Sequence, residues 1–137
     1  MSSRVLVVEP VEELRVPLMR ALRARGVGVD AFASAGEVIE ALKGGPSWSR
    51  ALIELTLPDG DGATLAERLR VHSPEIDLCF VTGGVDGELL CRAHALGTIL
   101  WKPLGLGPLC ERFISDTRRS GVVARVDVSA VPLARRG

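Results

Sequence analysis

Five apolar, β-branched runs alternate with five segments of helical period, and this alternation constrains the fold more than any other feature of the chain. Arg4–Val8 (RVLVV), Val27–Phe32, Arg50–Leu55 (RALIEL), Ile76–Thr82 and Thr98–Trp101 read as strands. The first is almost continuously apolar, as a strand buried on both faces is. Val11, Leu14, Leu18, Ala21 and Leu22 then recur at helical spacing up to Gly26. Ser34-Ala35-Gly36-Glu37 has the Ser-x-x-Glu spacing of a capping box and opens a helix reaching about Lys43. Leu65, Ala66 and Leu69 mark a third helix, and Leu89, Leu90, Ala93 and Leu96 a fourth, with Gly97 placed as its C-terminal cap. Pro108 suits the first turn of a fifth, with Leu109, Cys110, Phe113 and Ile114 inward. Pro17 interrupts the first helix and predicts a kink or an irregular first turn, with regular helix from about Val16.

Strands and helices in this order predict an α/β protein: one parallel sheet covered on both faces, with right-handed crossovers. Its 137 residues suit one domain. We place that domain at 1–119 and a tail or linker at 120–137, where 122–128 could add an edge strand. The composition excludes several function classes. With 17 basic and 17 acidic residues the net charge is zero, so direct nucleic-acid binding is not expected. No apolar run is long enough for a bilayer and no signal peptide is evident, so the expected compartment is the cytoplasm, without membrane contact. Cys79, Cys91 and Cys110 fit neither a disulfide framework nor a zinc site and are expected to be buried apolar residues.

In open parallel sheets ligands bind beyond the carboxyl ends of the strands. Those ends carry Glu9-Pro10 after the first strand, Glu54 after the third, Thr82-Gly83-Gly84 after the fourth and Lys102-Pro103 after the fifth. Carboxylates suit a divalent cation, and a hydroxyl with an ammonium suits phosphoryl oxygens. Glu9 could equally be a solvated strand end, Thr82 a helix cap, and Lys102 a structural partner of Glu54. Asp59 and Asp61 are expected to serve as turn and N-cap residues bonded to their own backbone.

With these residues in place, the chain resembles the receiver domains of bacterial two-component response regulators. The matching stretches are RVLVVEP (4–10), LIELTLPDGDG (52–62), FVTGG (80–84), AHALG (93–97) and LWKP (100–103). The resemblance implies a flavodoxin-like (βα)5 three-layer sandwich with sheet order 2-1-3-4-5. It also implies two acids after strand one that help hold Mg²⁺, an Asp after strand three that accepts phosphate, and a Thr and a Lys that contact the phosphoryl oxygens. Thr82 and Lys102 match, and Glu9 falls on the first acidic position. Pro10 stands at the second, and Glu54 stands at the acceptor position. The aromatic that members often carry three positions before the Lys is Ile99 here, and the segment Gly97–Lys102 is about two residues shorter than usual. Trp101 is expected in the core.

These departures predict a receiver-like signalling module, not an enzyme, that works without phosphorylation. Pro10 supplies no metal ligand, so no Mg²⁺ cofactor is expected, the residual candidates being Glu9 and Glu54. Glu54 reaches about 1.5 Å further than Asp and could pair with Lys102 and Thr82. Its partners would be proteins of a bacterial signalling or phosphorelay pathway, with a homodimer through the helix 4–strand 5–helix 5 face (Leu90, Cys91, Ile99, Leu106) as one form. Two alternatives remain open: a receiver that still takes up phosphate or a small anion at Thr82 and Lys102, and a small flavodoxin-like enzyme or nucleotide binder. Against the last, no Gly-rich phosphate loop follows strand one, and His72 and His94 are expected to face solvent.

Overall fold

The computed structural model describes residues 4–119, so the tail and its candidate edge strand at 122–128 lie outside the described residues. In chain order the elements are β1 (Arg4–Val8), α1 (Glu12–Ala24), β2 (Gly28–Phe32), α2 (Ala35–Leu42), β3 (Arg50–Glu54), β4 (Thr56–Leu57), β5 (Gly60–Asp61), α3 (Gly62–His72), β6 (Asp77–Thr82), α4 (Gly87–Leu96), β7 (Thr98–Trp101) and α5 (Leu106–Arg119). Five strands form one parallel sheet in the order β2-β1-β3-β6-β7, which is the flavodoxin-like order expected. The turn at 57–62 is more ordered than expected: β4 and β5 pair as a small antiparallel hairpin.

Alternation along the strands builds two cores. Leu6 and Val8 of β1, Ala51 and Ile53 of β3, Leu78 and Phe80 of β6 and Ile99 of β7 face α2, α3 and α4. Val5, Val7, Leu52, Cys79, Val81 and Leu100 face the other way, against Leu18 and Leu22 of α1 and Cys110 and Phe113 of α5. A period of two on strands covered on both sides therefore appears in sequence as a continuous apolar run. Each fully buried aliphatic side chain contributes on the order of 1.5–3 kcal/mol through the water it gives up.

Several local expectations change. α1 begins at Glu12, not near Val16, and Pro17 lies within it. Glu12 and Glu13 favour its positive N-terminal end, and Leu18 and Leu22 anchor it, which together outweigh the hydrogen bond that proline lacks. Ser34 accepts from the Glu37 amide as a capping box requires, but the Glu37 carboxylate returns to the Ala33 amide at 2.8 Å. Asp61 caps α3 by accepting from the Thr64 amide, as expected. Asp59 does more than bond its own backbone. It reaches across to the first amides of α2, Ala35 at 3.0 Å and Gly36 at 2.8 Å, and so ties the β3–α3 loop to α2. Those two bonds hold its carboxyl below the usual aspartate range.

The connection from α4 to β7 is short. α4 passes into β7 through Gly97 alone. Gly97 is extended (φ −174°), so handedness does not require glycine there. Space does: a Cβ would sit 2.1 Å from the Leu78 carbonyl oxygen. Cys79 and Cys110 are buried, but Cys91 is exposed on α4, contrary to expectation. Ile99 also departs from the reading that put it on an outer face: at 3% exposure it belongs to the core. Trp101 is only partly buried against that same core, and His72 and His94 are exposed. Among the described residues no helix is long and apolar enough to cross a membrane.

Candidate functional site

The sheet order changes direction between β1 and β3, and the crevice beyond their carboxyl ends is where this architecture places its sites. Glu9 follows β1 and Glu54 ends β3, so the two carboxylates flank that crevice. Gly62, the first residue of α3, lets the helix start close against β3: a Cβ there would meet the Glu54 carbonyl oxygen at 2.5 Å.

Glu54 turns toward the end of β7. Its Oε1 lies 2.7 Å from Lys102 Nζ, with the glutamate side chain 10% and the lysine side chain 36% exposed. The contact is a close ion pair, and among the described residues Oε1 has no other donor. The added methylene of glutamate thus brings the carboxylate to the lysine, as its length suggested. It does not engage Thr82. That fully buried hydroxyl instead accepts from the Gly84 amide at 2.9 Å and caps no helix, since Asp86 performs that role for α4. Thr82 and Lys102 are nevertheless adjacent, because the Lys102 amide donates to the Thr82 carbonyl at 2.8 Å.

Glu9 is buried at 8% exposure and is therefore not a solvated strand end. Its Oε2 accepts from the Val11 amide at 2.9 Å, folding the side chain back onto the start of α1. Burial pushes its carboxyl up, as does the nearby Glu54 charge, while the Val11 amide, Lys102 and Arg15 oppose the rise. Arg15 is a participant that sequence reasoning missed. One turn into α1, its guanidinium donates to the carbonyls of Glu9 (2.9 Å) and Pro10 (3.3 Å) and pins the loop that in a receiver carries the acids. No motif marks it; the only signal is its place one turn beyond that loop.

This donor set does not fit Mg²⁺. The ion requires near-octahedral oxygen ligation and gives up water reluctantly. Pro10 offers no side-chain oxygen, Glu9 is committed to the Val11 amide, and Glu54 to Lys102. Among the described residues no cluster of three or more His, Cys, Asp or Glu could hold a metal ion.

No model of a known protein family matches the sequence. The chain is 35% identical over 111 residues to the sensor kinase CckA of Brucella abortus (strain 2308), a match covering 79% of this chain but only 12% of that protein. It is 31% identical over 81 residues to the response regulator receiver protein CpdR of the same organism, covering 59% of this chain and 67% of that protein. The fold superposes on the CheY-like receiver domain protein of Methanospirillum hungatei JF-1 with a TM-score of 0.77 at 24% identity, over 87% of this chain and 96% of that one. The sheet order, the strand-end residues and these similarities agree: the chain belongs to the response regulator receiver family of two-component signalling.

Proposed function

We propose that this receiver domain signals without an aspartyl-phosphate cycle, and that the Glu54–Lys102 ion pair holds its switch region in one conformation. The observation that carries the reading is the 2.7 Å contact itself. In a receiver the lysine meets the charge of a phosphoryl group; here a carboxylate built into the chain occupies the lysine permanently. Pro10 in the acidic loop supports the same reading, because phosphoryl transfer depends on positioning and on neutralising charge with a metal. Ile99 adds to it. A buried aliphatic side chain on the α4 side of β7 has no polar end to relay a change at Thr82. The output would then be protein–protein contact with partners in a bacterial signalling pathway, without enzymatic turnover and without a resident Mg²⁺.

Intact mass after incubation with acetyl phosphate and Mg²⁺ tests the reading. The wild type is expected to stay unmodified, whereas the Pro10→Asp plus Glu54→Asp variant should gain the mass of one phosphoryl group. Uptake by the wild type that is lost in Glu54→Gln would refute it and return the domain to a kinase-driven cycle.

A further inference from the structure

α4 is lightly held against the sheet. Of its ten residues Ala93 is the one fully buried, with Leu89, Leu90 and Leu96 partly so, whereas neighbouring α3 buries five of eleven. Its two ends are held differently. At the C-terminal end the Arg70 guanidinium of α3 donates to the Leu96 carbonyl at 3.1 Å, where a cation suits the negative end of the helix, and Gly97 abuts the Leu78 carbonyl. The N-terminal end follows the exposed Gly83-Gly84, with Gly84 at φ +137°, and its cap Asp86 bonds the helix's own Leu89 amide. Glycines at such a junction admit the backbone rotation that a moving helix end needs.

Between those ends Arg92 crosses to the start of α3. Its guanidinium donates to Thr64 Oγ1 at 2.9 Å and to Glu67 Oε1 at 3.3 Å, and lies 3.8 Å from Asp61 Oδ2. Thr64 donates its hydroxyl to that same Asp61 oxygen at 3.0 Å, while the other oxygen of Asp61 caps α3. Asp61, Thr64 and Arg92 thus close a ring, with Glu67 beside it. A lone exposed ion pair holds little, but an arginine shared among several acceptors in a charge network is the exception. This guanidinium is also 35% exposed, so it is partly shielded from solvent. Asp61 ends the β4–β5 hairpin that follows Glu54. That hairpin therefore holds a helix on each side: Asp59 takes the first amides of α2, and Asp61, with Thr64 behind it, takes Arg92 of α4.

We propose that Arg92 is a latch: it sets the orientation of α4 against α3, and when it lets go α4 pivots about its fixed C-terminal end while the sheet stays folded. The exposed side of α4, with Glu88, Cys91 and His94, is thereby presented in a position set by charge from the β3–α3 side of the domain. This route needs no polar side chain at Ile99, which lies in the core on the α4 side of β7. Arg92 is a positioning residue. Among the described residues its partners lie on the hairpin and α3, so the latch stands whether or not Glu54 takes up phosphate.

Residual dipolar couplings of the backbone amides, measured on the full chain in a neutral stretched gel, test the latch. In the wild type the α4 amides should fit the alignment tensor defined by the five-stranded sheet and α3. Losing charge-assisted hydrogen bonds of this kind costs about tenfold or more in an equilibrium constant. Arg92→Gln should therefore populate the unlatched state and take the α4 amides off that tensor, leaving the strands and α3 on it. Asp61→Asn keeps a good capping side chain but removes the charge. It should displace the α4 couplings in the same direction by a smaller amount, with the Thr64 amide still protected from exchange. Sodium chloride at about 1 M should shift the wild-type α4 couplings toward those of Arg92→Gln and leave that variant unchanged, since salt screens partly exposed charges. A residue that merely adds stability would lower the urea midpoint and leave α4 on the common tensor, and that result would overturn the proposal. So would a loss of fit spread over every helix, or α4 couplings that Asp61→Asn and salt both leave untouched. Because acetyl-phosphate uptake is a separate readout, a failure here is distinguishable from a failure of the phosphorylation-independent reading.

Discussion

A double-mutant cycle on Glu54 and Lys102 tests whether the pair is strong enough to hold a conformation. The perturbations are Glu54→Gln, Lys102→Met and their combination, which remove the charges while keeping side-chain length. Two limits bracket the expected coupling. Exposed pairs couple by about 0.2–1 kcal/mol, because water screens them and two flexible chains must be ordered. Breaking a fully buried pair costs about 3–5 kcal/mol, because a charge is left without a partner in low dielectric. Here the carboxylate is 10% exposed and the ammonium 36%, at 2.7 Å. Solvent access to the lysine pulls the value well below the buried limit. We therefore expect a coupling of about 1–2 kcal/mol, between the two limits. Urea denaturation of the four proteins at neutral pH measures it, provided the m-values agree. Raising the salt should reduce the coupling only modestly, since a half-shielded pair is screened less than a surface pair. A coupling below about 0.5 kcal/mol would place the pair among ordinary surface ion pairs and refute the argument that it locks the switch region.

Three further outcomes follow from the fold. Gly97→Ala should destabilise the domain by about 1–3 kcal/mol or more in urea, since its Cβ meets the Leu78 carbonyl at 2.1 Å and one of two backbones must move; a neutral result would mean the α4–β7 connection is loose. Asp59→Ala should speed hydrogen exchange at the Ala35 and Gly36 amides and leave the Thr64 amide, capped by Asp61, unchanged; equal acceleration at all three would point to general destabilisation instead. Asp30 accepts from Arg4 and from the buried Trp48 indole, and the Arg4 hydrogen bond is the main cause holding its carboxyl below the usual range. Its stabilising contribution is whole above the ordinary aspartate value of about 3.9 and is lost as pH falls through the lower folded value. In a Trp101→Phe background, Trp48 emission should report that titration, and Asp30→Asn should abolish it.

The strands were legible in sequence because a strand buried on both faces leaves a near-continuous apolar run. Asp61 was legible for a similar reason, since a cap acts within one turn of its own helix. Asp59, two residues earlier, was read only in part, because its partners on α2 are more than 20 residues away and no local pattern connects them. Cys91 and Ile99 changed places for a related reason. The usual burial of cysteine predicts an inward Cys91 and the family resemblance an outward Ile99, but which side of an element is covered depends on its neighbours.

By itself the sequence determined the alternation of strands and helices, the receiver resemblance and the set of residues at the strand ends. The first and last follow from patterns within a few positions along the chain, and the resemblance from five short stretches in register. Only the tertiary structure decided that Glu54 reaches Lys102, that Arg15 pins the acidic loop, and that Arg92 joins α4 to α3. Those outcomes depend on sheet order and on how closely helices approach the sheet, and both are set by packing between segments far apart in sequence.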